Sequence, residues 1–295
     1  MHTRHHAIGI AFLAMLAMNS CSTGDMVRVA LADNPAEAVK GLAKGRVNSY
    51  KYDPELLLKD LKRAQTEYRR LVGKLREESS KQWGGEEADE LPSRTRYVKY
   101  TENYKNRVIV DFDQGTVLIE HLQEAKVQEK LRNAVVTALL TPADPRSVDL
   151  FSDKPIALDG TPYLQGLIAD QGNKLIAGQA DAARYADYLV SNHLRSRQID
   201  VDGKSKNVMF VRFSMVNNYV DARALKYAQW VRSHAEASGV SRSLIYAVIK
   251  TESAFNPYAV SSAPAFGLMQ LVPASGGREA YRKAKGLDEP PTREY

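Results

Sequence analysis

The stretch Thr251-Glu252-Ser253-Ala254-Phe255-Asn256-Pro257, followed by Ala265-Phe266-Gly267-Leu268-Met269-Gln270, constrains this 295-residue chain more than any other. Residues 241–251 place Leu244, Ile245, Val248 and Ile249 on one face at helical spacing, with Ser241 as the N-cap. The spacing predicts a helix whose apolar stripe sits in a core. Asn256-Pro257 stops it, because proline has no N–H and restricts the residue before it. Glu252 is thereby held where a buried helix opens into a loop. A Ser- and Ala-rich loop, 258–266, follows, and Gly267 allows close backbone approach before the apolar 268–272. Phe255, Tyr258 and Met269 are expected to desolvate Glu252 and disfavour its charged form, so that the carboxyl can donate a proton near neutral pH. A solvated helix-end glutamate is the plain alternative.

The two segments resemble the Glu-Ser-x-Phe-Asn-Pro and Gly-Leu-Met-Gln signature of the lysozyme-like soluble lytic transglycosylase domain. The resemblance implies a catalytic role for Glu252. It would protonate the glycosidic oxygen between N-acetylmuramic acid and N-acetylglucosamine in peptidoglycan. It would then act as base toward the sugar's 6-hydroxyl and close a 1,6-anhydro ring. Ser261 matches a polar residue that faces the active site, and Gln270 matches a cleft glutamine that contacts the saccharide. Met269, beside it, is a further expected substrate-binding residue. Pro264 departs from the pattern, since many relatives carry glycine there. On the residues alone, Ser261 could equally make a loop hydrogen bond and Gln270 could lie on a helix surface.

A net charge of +6 and a pI near 9.2 suit an anionic partner: nucleic acid, anionic phospholipid or the carboxylates of peptidoglycan. The chain has no zinc-finger spacing, phosphate-binding Gly-rich loop or basic helix with interleaved aromatics, so nucleic acid is not the expected partner. No cofactor and no metal are expected either. His121 and His193 are far apart in sequence and lack neighbouring ligands there.

Residues 1–20 read as a lipoprotein signal peptide. Arg4 precedes the apolar 7–17, which is shorter than the about 20 residues needed to span a bilayer. Met18-Asn19-Ser20-Cys21 resembles a lipobox, and Cys21 is the only cysteine, which makes it the expected lipidation site. An ordinary secretory signal is the alternative. Ser22 after Cys21 points to the outer membrane by the sorting rule of Gram-negative lipoproteins, so the protein is expected to face the periplasm, anchored by lipid.

The expected fold class is α+β: an N-terminal α+β domain followed by a mainly helical, lysozyme-like catalytic domain. Residues 21–49 read as a tether, 50–217 as the first domain and 218–295 as the second. In the first, helices are expected over 53–76, 123–140 and 179–194. Strands are expected over 97–100, 107–112, 116–121, 198–201 and 207–216, with turns at Gln114-Gly115 and Asp202-Gly203. In the second, one helix over 222–237 gathers Leu225, Ala228, Val231 and Ala235. The end at Tyr295 reads as a truncation of that domain, leaving apolar surface uncovered. The order of signal, α+β domain and motif is similar to that of membrane-bound lytic murein transglycosylases. Two other activities stay open: a lysozyme-type hydrolase, and a non-catalytic peptidoglycan-binding lipoprotein fragment.

Overall fold

A computed structural model describes residues 54–85, 87–263 and 265–286. The signal peptide, Cys21, the tether and Pro264 lie outside the described residues. Two compact units are distinguished, one holding 62–273 and the other, in its described part, 54–61 and 274–286. The smaller unit includes the helix Arg278–Lys285, and the larger carries the sheet, the core and the motif.

Helix α1 (Pro54–Trp83) runs past the expected end at residue 76, since nothing between Glu77 and Trp83 breaks a helix. Leu75, Ser79 and Trp83 recur every fourth residue and are fully buried. Gly84 ends the helix at φ 79°, where a Cβ would stand 2.7 Å from the carbonyl oxygen of Asp200. Only glycine fits there.

Five strands follow: β1 (Arg96–Thr101), β2 (Asn106–Asp111), β3 (Thr116–Leu122), β4 (Arg195–Val201) and β5 (Lys204–Ser214). They form one antiparallel sheet in the order β1-β2-β3-β5-β4. The Asp202-Gly203 turn has φ above zero at both residues, as the twist of a two-residue hairpin requires. Helix α2 (Val127–Leu140) packs against β3, and α3 (Gln179–Asn192) packs against α2. The start of α2 is later than the expected 123, because Gln123 still donates to Asn207 and Lys126 turns the chain at φ 60°.

The sheet buries side chains on both faces. On one, Arg107 of β2 sits opposite Glu120 of β3 and bonds it at 2.5 and 2.9 Å, with its guanidinium 4.1 Å from the centre of the Trp83 ring. Arg197 of β4 reaches the same Glu120 at 3.1 Å and Glu87 at 2.7 Å. Charges taken out of water are tolerated because each has opposite partners with hydrogen bonds. Their hydrogen bonds, Arg197 foremost, hold the Glu87 carboxyl below its ordinary range.

The segment after the sheet is helical: α4 (Tyr219–Lys226), α5 (Ala228–Ser238) and α6 (Arg242–Ser253). The α+β class therefore stands, with three departures in this segment. The single helix expected over 222–237 is broken at Tyr227, whose N–H serves the carbonyls of Ala224 and Leu225 as the cap of α4. The break turns Leu225 outward, 70% exposed, while Val231 and Ala235 stay buried. Of the apolar stripe on α6 only Ile249 is buried; Ile245 and Val248 are half-buried and Leu244 is 57% exposed, so the stripe is not seated in a core. Its inner edge packs in a small cluster of Val231, Ile249 and Phe255 with Tyr227, Tyr246 and Leu268 around it.

Candidate functional site

Helix α6 stops at Ser253, three residues before the Asn256-Pro257 pair that the sequence marks as its end. Ala254 and Phe255 both take left-handed backbone, at φ 49° and 61°. Each such residue costs about 1 kcal/mol without glycine, and burial of Phe255 against the rings of Tyr227 and Tyr246 holds the turn in place.

Two side chains staple the halves of the motif together. The hydroxyl of fully buried Ser253 lies 2.9 Å from the Ile249 carbonyl and 2.8 Å from that of Leu268. Gln270 donates from Nε2 to the carbonyls of Ala259 and Gly267, at 3.1 and 3.0 Å. Gly267, at φ 72°, bonds Ala259 through its own N–H at 2.9 Å. The 254–271 loop is thus a closed shelf and not a free connection.

Three residues fasten that shelf to the sheet domain. Asn256, fully buried, donates from Nδ2 to the Arg94 carbonyl at 3.2 Å and accepts from the Tyr258 N–H at 3.0 Å. The N–H of Val260 reaches the Ser93 carbonyl at 3.3 Å. Tyr258 packs edge-on to Tyr97 and Tyr163, at 5.0 and 5.6 Å between ring centres, and its hydroxyl donates to the Pro142 carbonyl. Burial pushes the Tyr258 phenol up from its ordinary range.

Glu252 stands at the end of α6 with its side chain 39% exposed. The desolvating shell expected around it is not assembled: Phe255 packs toward Tyr227 and Tyr246, Tyr258 belongs to the tyrosine cluster, and Met269 is exposed. What faces the carboxylate is a cation, the Arg94 guanidinium, with Nη1 3.9 Å from Oε2. Sequence reasoning missed Arg94, Ser253 and Asn256 as parts of the site. Arg94 carries no local signal, since it lies 162 positions before the asparagine that holds it.

The other expected site residues are dispersed. Ser261 donates to the Ala263 carbonyl, the loop bond that was its alternative reading. Gln270 is half-buried in the shelf, with Oε1 buried and unpartnered. Met269 lines a cleft of about 950 Å³ with Leu268, Trp230, Tyr227, Lys226 and Arg146, and Glu252 is not among its lining residues. Trp230 is 62% exposed there. Lys226 donates to the Tyr163 carbonyl at 2.6 Å, and burial, helped by Arg223, brings its ammonium down to about 8.

His121 is not isolated from possible ligands, as its sequence surroundings suggest. Its Nε2 lies 3.3 Å from Glu102 and 3.7 Å from Glu124. Both carboxylates already have ammonium partners: Lys130 bonds each of them, and Lys105 adds a 2.8 Å bond to Glu124. The arrangement is an ion-paired cluster at the end of the sheet.

A glutamate at a helix end, on a loop closed by Ser and Gln and fastened by Asn-Pro-Tyr, is the build of a transglycosylase lobe, and residues 229–292 match the Transglycosylase SLT domain. Residues 57–226 match the N-terminal domain of membrane-bound lytic murein transglycosylase C, and the chain belongs to that family. Its similarity to the protein of that name from Haemophilus influenzae (strain PittEE) is 38% identity over 224 residues, 76% of this chain and 60% of that one. The corresponding proteins of Cronobacter sakazakii and Klebsiella pneumoniae subsp. pneumoniae are 40% and 41% identical over 200 residues, 68% of this chain and 54% of theirs. The chain thus spans 54–60% of the length of these relatives.

Proposed function

We propose that the chain belongs to an enzyme that cuts peptidoglycan glycan strands without water, in cell-wall turnover. Glu252 gives its proton to the glycosidic oxygen as the bond to C1 of N-acetylmuramic acid breaks. The 6-hydroxyl of the same sugar then closes on C1 and returns its proton to Glu252, leaving a 1,6-anhydro end. One carboxyl serves as acid and then base. The observation that carries this reading is the placement of Glu252: its backbone is pinned by Ser253 and Asn256, and its carboxylate opens to solvent, where a polymer can reach it. Met269 and Gln270 are assigned to the saccharide side on the motif, and Ser261 to the loop above it. The test is the mass of the released muropeptides, set against a Glu252→Gln control.

The sheet domain, taken as residues 50–217, is assigned a supporting role, carrying the lobe of 218–295 toward the glycan. The bonds from Asn256 and Val260 to the Ser93-Arg94 strip support it. Membrane attachment follows the relatives' printed name, and lipidation at Cys21 would place the protein on the outer membrane, facing the periplasm. Fractionation of a Cys21→Ala variant checks this: release from the membrane fraction is expected, and retention there contradicts it.

A further inference from the structure

Arg94 brings a formal charge to a loop that has none of its own. From Ala254 to Val272 the sequence contains no charged residue, so the motif after Glu252 supplies no cation to an anionic group. Two other basic residues lie near this pair in sequence. On α6, Lys250 is exposed two residues before Glu252. At the start of β1, Arg96 is taken up by Glu90 at 2.5 Å and Asp111 at 3.9 Å. Among the described residues, Glu252 is the one carboxylate within 4 Å of Arg94.

The main chain of Arg94 is fixed while its head stands half in solvent. Its carbonyl is held by buried Asn256, and the carbonyl of Ser93 by Val260, yet the side chain is 52% exposed. A fixed root with a solvated guanidinium suits a group that exchanges partners. The pairing engages the same carboxyl that must meet the glycosidic oxygen, so the guanidinium and the substrate compete for Glu252. A substrate that supplies its own carboxylate removes the conflict by drawing the guanidinium off Glu252.

We infer that Arg94 is a specificity-determining residue that binds a carboxylate borne by the glycan strand, and so favours anionic over neutral polymers. The inference rests on the lytic reading of Glu252. The carboxylate has two sources, the peptide stem of intact peptidoglycan and the free lactyl group of peptide-free strands. In both, the pairing is a charge-assisted hydrogen bond, bidentate where the fork of the guanidinium meets both oxygens.

The test compares the parent chain with Arg94→Gln and Arg94→Lys on three polymers: intact peptidoglycan, peptide-free strands with lactyl carboxylates, and a neutral N-acetylglucosamine polymer. Arg94→Gln is expected to lower the preference for anionic over neutral polymer about tenfold, through KM more than kcat, with Arg94→Lys recovering part of it. Loss on intact peptidoglycan alone assigns the peptide carboxylate, loss on peptide-free strands alone assigns the lactyl group, and loss on both assigns a site that takes either carboxylate. Calorimetric binding of soluble strand fragments to Glu252→Gln, with and without Arg94→Gln, gives the same comparison without turnover. Equal losses on anionic and neutral polymers, or none, overturn the inference and leave the lytic reading intact. Absence of binding to any glycan overturns both.

Discussion

Asn256 donates its side-chain amide to the backbone carbonyl of Arg94, and through that 3.2 Å bond the residue that faces Glu252 is held by the loop that follows Glu252. The same side chain accepts from the Tyr258 N–H, so it is spent on both ends.

Asn256→Ala removes both bonds from a fully buried position and leaves a carbonyl and an N–H without partners. A loss of about 2–3 kcal/mol of unfolding free energy is expected, read as a lower urea midpoint at unchanged slope. Asn256→Asp keeps the acceptor for Tyr258 but not the donor for Arg94, and should fall between the two. A midpoint shift of Asn256→Ala within error of the parent would mean that the strip and the loop are held by other contacts.

Hydrogen bonds from Lys105, then Lys130, depress the Glu124 carboxyl from 4.5 to about 2. A carboxyl with a depressed folded value stabilises the fold above its unfolded value and loses that contribution as pH falls through the folded one. Glu124→Gln should therefore be less stable than the parent at pH 6, with the gap closing between about pH 4.5 and 2. Urea unfolding at pH 6, 4 and 3 measures it, and a gap constant across that window would show that the lysines do not act through charge.

The Lys226 ammonium, brought down to about 8 by burial, should be half neutral near that pH, while an exposed lysine is still charged. Its amine is expected to outpace surface lysines in acetylation at pH 8, with the advantage shrinking by pH 10.5 as the others deprotonate. Peptide mapping after brief labelling reads it. A rate equal to that of exposed Lys250 at both pH values would contradict the shift.

Much of the sheet was legible in the sequence, and the site only in part. The Asp202-Gly203 hairpin and the run around Val208 and Phe213 carry their own turn chemistry and β-preference, so the strands fall where their residues place them. The α6 stripe is a different case. Helical period says which side is apolar but not what covers it, and Leu244 lies exposed although it has the same spacing as buried Ile249. The sequence places Glu252 at the helix end with Asn256-Pro257 as the stop beyond it; the helix ends one residue after Glu252, at Ser253, and the chain turns at Ala254 and Phe255, because packing of the Phe255 ring sustains a backbone that propensity disfavours. The glutamate and its motif were visible as a local pattern. Arg94 was not, since nothing in a linear window announces a partner delivered by Asn256 from the other end of the fold.

The central claim is that Glu252 is the single acid and base of a water-free cleavage. Its most direct test is the incubation of purified peptidoglycan with the protein and with Glu252→Gln, followed by mass measurement of the soluble muropeptides. The account predicts products that end in 1,6-anhydro sugars, lighter by one water than hydrolysed ones, and a loss with Glu252→Gln of at least about 100-fold, the low end of a positioned acid's contribution. Water-added products would instead assign a lysozyme-type hydrolase, and products undiminished by Glu252→Gln would contradict the account.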